Sequence, residues 1–183
     1  IWGRGARNEG HQNTTTGCFG STVAHLTAQR RPDLVSGVIL FGYWKDPATD
    51  LPATELPDAP SREPTTAEAA ASDFITPGTI SANAVAAYVE AALAADPVRV
   101  DVAFVEQFND LDPAALTVPV QILQGELDPI APTDAQARLF RALGSANKEW
   151  VVLGGCDHAA FLETCRPRFL RAMLGFLREV TGA

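Results

Sequence analysis

The chain has 183 residues, 46% of them hydrophobic and 20% charged, the balance of one folded domain with a real core. A net charge of -8 and a pI near 4.8 exclude the basic stripe that nucleic-acid binding needs. No apolar run approaches the ~20 residues of a membrane span, the opening IWGRGARNEG lacks the apolar heart of a signal peptide, and three cysteines make no disulfide framework, so a cytoplasmic protein is expected.

Residues 1–12 are rich in Gly and Arg without periodicity and read as loop. NTTTG, 13–17, is the stretch from which a short strand would enter a sharp turn. Residues 20–31 suit a helix that Pro32 ends. SGVILFG, 36–42, is a β-branched apolar run bounded by glycines, the pattern of a buried strand.

Residues 46–64 change character: prolines recur and apolar residues thin out, as in an extended, mobile surface segment. Alanine-rich helices are expected at 65–72 and 81–95, and a shorter helix at 99–108. VPVQILQG, 118–125, is a second buried strand, and KEWVVL, 148–153, a third. Between them, 133–143 is an amphipathic helix with Ala135, Leu139 and Leu143 on one face. A last helix is expected over 160–180, with Leu162, Cys165, Phe169, Met173, Phe176 and Val180 on one stripe. Strands alternating with helices predict an α/β protein with a parallel sheet. Three parts follow: 1–44 with the turn, its helix and a strand; 45–116 as a Pro-rich linker and helical cap; and 117–183 as a terminal α/β segment.

In an open parallel sheet, chemistry gathers at the carboxyl ends of the strands. Three such loops carry reactive groups here. Cys18 lies in NTTTGCFGSTVAHL, Asp128 in QGELDPIAP, and His158 in LGGCDHAAF. Glu126 competes with Asp128 as the acid of its loop.

At these residues the sequence resembles the α/β-hydrolase family, over about 14–180. GELDPIAP is similar to the family's acid turn, GGCDHAAFLE to its histidine loop, and RRPDLVSGVILFGYW to the segment after its nucleophile helix. The order Cys18, Asp128, His158 matches the family's nucleophile, acid and histidine. The nucleophile turn requires small residues two before and two after its tip. Around Cys18 these are Thr16 and Gly20; around Ser21 they would be Phe19 and Val23, so Cys18 belongs at the tip. Thr16 and Cys18 depart from G-x-S-x-G, but a thiolate beside a histidine is a competent acyl-transfer nucleophile, and dienelactone-hydrolase-like members use one.

The resemblance implies a carboxyl-terminal portion of an α/β hydrolase acting on an ester or thioester through an acyl-enzyme on Cys18. His158 would be the base, Asp128 its orienting acid, and the Phe19 N–H half of the oxyanion hole. Tyr43, Trp44 and Phe74 would line an apolar acyl pocket. No cofactor and no metal are implied. An acyltransferase with the same residues, a non-catalytic member and a subunit of a split hydrolase are the alternatives. Among the remaining groups, His25 reads as buried structure, His11 as uninformative, Asp157 as a solvated loop residue and Cys165 as core. Cys156 could approach Cys18 in a disulfide or a Cys/His metal site, but no second histidine or paired-cysteine spacing supports zinc. The family has several strands before the nucleophile, and only 17 residues precede Cys18 here. The sheet would then expose an edge, so a second polypeptide carrying the early strands is expected as partner, beside a small-molecule acyl substrate.

Overall fold

The structure is a computed structural model that describes residues 19–53, 59, 62–100 and 105–182. The expected strand at 13–17, the loop at 1–12 with His11, and Cys18 lie outside these residues.

Helix α1 (Phe19–Arg30) ends two residues before Pro32, which opens a short 3-10 turn, Pro32–Leu34. Strand β1 (Val38–Phe41) follows. β1 pairs in parallel with β4 (Val120–Gly125), and β4 with β5 (Lys148–Leu153), so β4 is central. The register sets Leu40 opposite Ile122 and Ile122 opposite Trp150. All six residues of β4 are buried, as expected of a strand covered on both faces.

Strand alternation divides the core in two. Val38, Leu40, Val120 and Ile122 face Ala28 of α1 and Leu139 of α4 (Thr133–Ala142). Phe41, Leu123 and Leu153 face Phe169 of α5 (Arg166–Thr181), with Ile39, Val151 and Met173 packed alongside. Ala135, Leu139 and Leu143 are all buried, as their spacing predicts. Each fully buried Leu or Ile contributes about 1.5–3 kcal/mol, so these two clusters fix the layer that carries the strand ends.

The region 45–116 differs from a purely helical cap. Helices α2 (Ala67–Ala71) and α3 (Ala82–Ala95) form where alanines run, each started by a hydroxyl cap: Thr66 accepts from the Ala69 N–H, and Ser81 from the Ala84 N–H. The helix expected at 99–108 is not one. Val98–Val100 is a strand, β3, antiparallel to β2 (Arg62–Pro64), and Val105–Asp110 is a 3-10 helix, with 101–104 outside the described residues. The alternating β-branched valines of β3 favour extended backbone over helix. Residues 46–53 are also better tied than a mobile linker. Asp46 holds Arg138, Lys45 reaches the Thr49 carbonyl, and the Leu51 N–H donates to Asn109 Oδ1 at 2.8 Å.

The last helix starts at Arg166, not at 160. Pro167 decides this, because a proline without N–H is accommodated in the first turn but not one-third of the way along a helix. Residues 159–165 instead form turns, and Cys165 is bonded to Cys156 in a disulfide. Cys165 packs against the Phe41 cluster as a core residue should, and Cys156, which could have approached Cys18, is bonded to Cys165 instead. The two cysteines stand nine positions apart, too far for a paired-cysteine motif, so spacing gave no warning.

Candidate active site

The carboxyl ends of β1, β4 and β5 lie side by side, and each leads into a loop that bears part of the site. After β4, the 124–133 loop is shaped by Gln124, whose Nε2 donates to the Ala131 carbonyl and to Thr133 Oγ1, each at 3.0 Å. Asp128 sits within it. Its Oδ1 accepts from the Ile130 and Ala131 N–H groups at 2.9 and 3.2 Å, and its Oδ2 meets His158 Nδ1 at 2.8 Å. The carboxylate is thereby fixed in rotation by its own loop while one oxygen faces the imidazole. Glu126 does something else. Its Oε2 accepts from the Gly155 N–H at 2.9 Å and holds the entry of the histidine loop.

His158 and Asp128 are almost fully buried, with 2% and 3% of their surfaces exposed. Two glycines make the space. Gly42, just past β1, has φ of +56°, and a Cβ there would lie 2.7 Å from His158 Cε1. Gly125, the last residue of β4, would drive a Cβ to 2.2 Å from the Asp157 carbonyl oxygen. The first allows the imidazole against the end of β1, and the second lets the histidine loop cross the end of β4. Phe41 stacks on the imidazole at a centroid distance of 6.3 Å.

Ser21 is buried, and its Oγ donates to the Phe41 carbonyl at 2.6 Å and accepts from the Phe41 N–H at 3.1 Å. Its hydroxyl ties α1 to β1. Phe19, the first residue of α1, packs against Trp44 and Phe108 at centroid distances of 5.4 and 6.0 Å, which brings the start of α1 to the carboxyl end of β1. Trp44 is buried there, and its Nε1 has no hydrogen-bond partner among the described residues. Tyr43 turns the other way, into the core beside α1, where its hydroxyl meets His25 Nδ1 at 2.8 Å. Burial lowers the His25 pKa to about 4 and raises that of Tyr43 beyond its ordinary value. Phe74 lies in the 45–116 region and packs edge-on to Tyr88 at 5.1 Å. The structure thus brings together Asp128, His158 and, at the neighbouring strand end, Phe19 and Trp44. It sets Tyr43 and Phe74 in other surroundings.

Asp157 is not a solvated loop residue. It is fully buried, and its carboxylate accepts from the Thr76 and Ala159 N–H groups. Glu163, also buried, accepts from the Asp157 N–H at 2.8 Å and meets Thr79 Oγ1 at 3.0 Å. Burial and the hydrogen bond to Asp157 push the Glu163 carboxyl up to about 7. Burial also opposes ionisation of Asp157, but the hydrogen bonds from Glu163, Thr76 and Ala159 outweigh it and hold Asp157 below the usual carboxylate range. Sequence reading missed this pair. A buried acid pair is a tertiary arrangement, and nothing in the spacing of Asp157 and Glu163 marks it.

Among the described residues, one group of three carries metal-ligand atoms close together: Cys156, Glu163 and Cys165. Its two sulfurs are joined to each other and offer no thiolate, so the arrangement does not suit a metal ion. No helix among the described residues is long and apolar enough to cross a membrane.

The sequence profile of the serine aminopeptidase S33 hydrolases matches residues 16–165. The chain belongs to this family of α/β hydrolases. Solved α/β hydrolases share its fold. A monoacylglycerol lipase from Paleococcus ferrophilus superposes with a TM-score of 0.60 at 19% identity, over 87% of this chain and 65% of the other. A thermophilic esterase from Thermogutta terrifontis gives 0.56 at 19%, over 88% and 62%. A metagenome-derived lipolytic enzyme described with LipS and LipT gives 0.56 at 20%, over 88% and 62%. The chain therefore spans less than two-thirds of the length of these hydrolases. No curated protein matches its sequence significantly.

Proposed function

We propose that this α/β hydrolase cleaves a carboxylic ester or thioester through an acyl-enzyme on Cys18. The buried Asp128–His158 pair, held at the carboxyl ends of adjacent parallel strands, carries the reading. With Nδ1 turned to Asp128, Nε2 is the nitrogen that would exchange protons with nucleophile and leaving group. Cys18 sulfur adds to the substrate carbonyl as His158 takes the thiol proton. The carbonyl re-forms, the C–O or C–S bond to the leaving group breaks, and His158 returns the proton to the departing alcohol or thiol. Water, deprotonated by His158, then attacks the thioester, and the acid and the free thiol are released. Asp128 stabilises the imidazolium that forms in each half. The Phe19 N–H, in the first turn of α1 where N–H groups have no partner within the helix itself, would stabilise the oxyanion. Trp44 Nε1, buried without a partner among the described residues, is a donor for a polar atom of the bound substrate.

The reading includes a second polypeptide. Among the described residues β1 closes one side of the sheet, yet Val38, Leu40 and Phe41 are buried. Further strands alongside β1, bearing the second oxyanion donor, would complete the layer. Co-expression with such a segment should yield a soluble heterodimer with ester turnover, and a monodisperse, active chain on its own would remove the partner.

Turnover of p-nitrophenyl butyrate tests the chemistry. Cys18→Ala should abolish it, Cys18→Ser should retain part of it, and intact mass should show an acyl group on Cys18. Unchanged turnover in Cys18→Ala would overturn the cysteine nucleophile.

A further inference from the structure

We propose that Glu163 and Asp157 are positioning residues that latch the histidine loop to residues 76–79 of the 45–116 region, so that the seat of His158 and the docking of that region are coupled. The proposal rests on the hydrolase reading for what it couples to, and on geometry for the latch itself.

The contacts converge on the residue just before His158. The Asp157 N–H donates to Glu163 Oε2 at 2.8 Å, while its carboxylate accepts from the Thr76 N–H on one side and the Ala159 N–H on the other. Thr79 Oγ1 meets Glu163 Oε1 at 3.0 Å, and the Thr164 N–H donates to the Thr79 carbonyl at 3.1 Å. Three ties therefore cross between two segments more than 80 residues apart in sequence. The disulfide from Cys156 to Cys165 closes the loop that contains both acids. Displacing 76–79 removes the donors that Asp157 and Glu163 face, and the freed carboxylates then compete for the backbone that seats His158.

Proton count sets the state of the latch. The groups facing Glu163 are Asp157 from the histidine loop, Thr79 from the 45–116 region, and the Cys156–Cys165 sulfurs, which do not titrate while bonded. Of these, Asp157 is the charged one. Thr79 has a single hydroxyl hydrogen and two acceptors within reach, Glu163 Oε1 and the Thr76 carbonyl at 3.0 Å. A protonated Glu163 shares its proton with Asp157, so that one negative charge serves the pair. Loss of that proton puts two carboxylates side by side in a buried site. The folded state holds the proton more tightly than the unfolded chain. The latch is thus fully formed below the ordinary Glu range and is lost as pH rises through about 7.

Amide hydrogen exchange of the full chain tests this, with Glu163→Gln as the key variant. Gln accepts and donates in the same place but carries no titrating proton. Corrected for intrinsic rates, protection of the Thr76 and Thr164 amides should fall above about pH 7 by up to about tenfold per pH unit, the limit for one linked proton. In Glu163→Gln it should stay flat to about pH 8. The same slope in both proteins, or no protection of either amide in the parent at about pH 6, would overturn the latch. Turnover of p-nitrophenyl butyrate, read on the same samples, separates the two claims. The expected exchange pattern without turnover in any protein, each co-expressed with the early-strand segment, removes the hydrolase reading and leaves the latch. Turnover with identical pH profiles in parent and Glu163→Gln removes the coupling to His158.

Discussion

The layer of β1, β4 and β5 and the region 45–116 hold themselves together by different means. In the layer, all six residues of β4 are buried between two apolar clusters. In the 45–116 region, the 14-residue helix α3 buries Ala92 alone. The middle of that region, α2, α3 and the turn between them, reaches the layer through polar ties instead, Thr76 to Asp157 and Thr79 to Glu163, whereas Leu51, Phe108 and Leu116 at the region's two ends join the apolar clusters. Burial of apolar area is non-directional and large, whereas each hydrogen bond is directional and worth only about 0.5–1.5 kcal/mol net. The layer therefore fixes where the Asp128–His158 pair stands, and the polar ties decide how α2, α3 and the turn between them are placed above it.

The largest effect that sharpens this contrast is on chemistry. Asp128→Asn keeps the shape but leaves the wrong tautomer facing the nucleophile, so kcat/KM for an ester substrate should fall by about 10³–10⁴. Tyr88→Ala removes an edge-on contact with Phe74 in the 45–116 region and should cost less than about tenfold, in keeping with ~0.5–1.5 kcal/mol for such a pair. Comparable losses from both would break the contrast.

Stability should divide in the same way. Leu123→Ala empties a fully buried site at the centre of the sheet, and about 2–5 kcal/mol should be lost in urea or guanidinium denaturation. Leu93→Ala in α3 truncates a half-buried side chain and should cost well under ~2 kcal/mol. A cost as large for Leu93 as for Leu123 would mean that the 45–116 region has an apolar core of its own.

The same division explains what was legible in the sequence. Strand runs at 36–42 and 118–125 declared themselves because buried parallel strands are apolar on both faces, while 148–153, of which Leu153 alone is buried, showed through its apolar run WVVL before a glycine. Asp128 and His158 were legible because the loops that follow such strands are short and their order after Cys18 matched acid and histidine, though Glu126 competed with Asp128. The later start of α5 was also written in the chain, at Pro167, and the amphipathic stripe running back to Leu162 obscured it. The Asp157–Glu163 pair and the Cys156–Cys165 bond were not legible, since both exist only once the loop has folded back over Gly125.

That loop offers the next smaller effect. The disulfide closes a short loop within the layer's own edge, and in the chain-entropy account such a bond stabilises by about 2–3 kcal/mol. Treatment with a dithiol reductant, which is oxidised as the bond is reduced to two thiols, should lower Tm, and Cys156→Ser with Cys165→Ser should reproduce the shift without reductant. The double variant should no longer respond to reductant. An unchanged Tm in both experiments would show that packing around the loop suffices without the bond.

The smallest effect lies at the seam between the two regions. Arg138 Nε donates to Asp46 Oδ1 at 3.0 Å, and the second guanidinium nitrogen meets Oδ2, a two-pronged pair joining α4 to the first residues of the 45–116 region. The hydrogen bond to Arg138 holds the Asp46 carboxyl below its usual range. Solvent reaches both side chains, so the pair is screened and Arg138→Gln should shift Tm by less than reduction of the disulfide does. The sign of its pH dependence is set by the lowered carboxyl. Stability from the pair is present above the ordinary Asp range and disappears as pH falls through the folded value. The Tm difference between parent and Arg138→Gln should therefore be constant near neutrality, shrink under acid, and shrink also with added salt. A difference that grew on acidification would place the contribution of Arg138 in its packing over Asp46, not in the charge it carries.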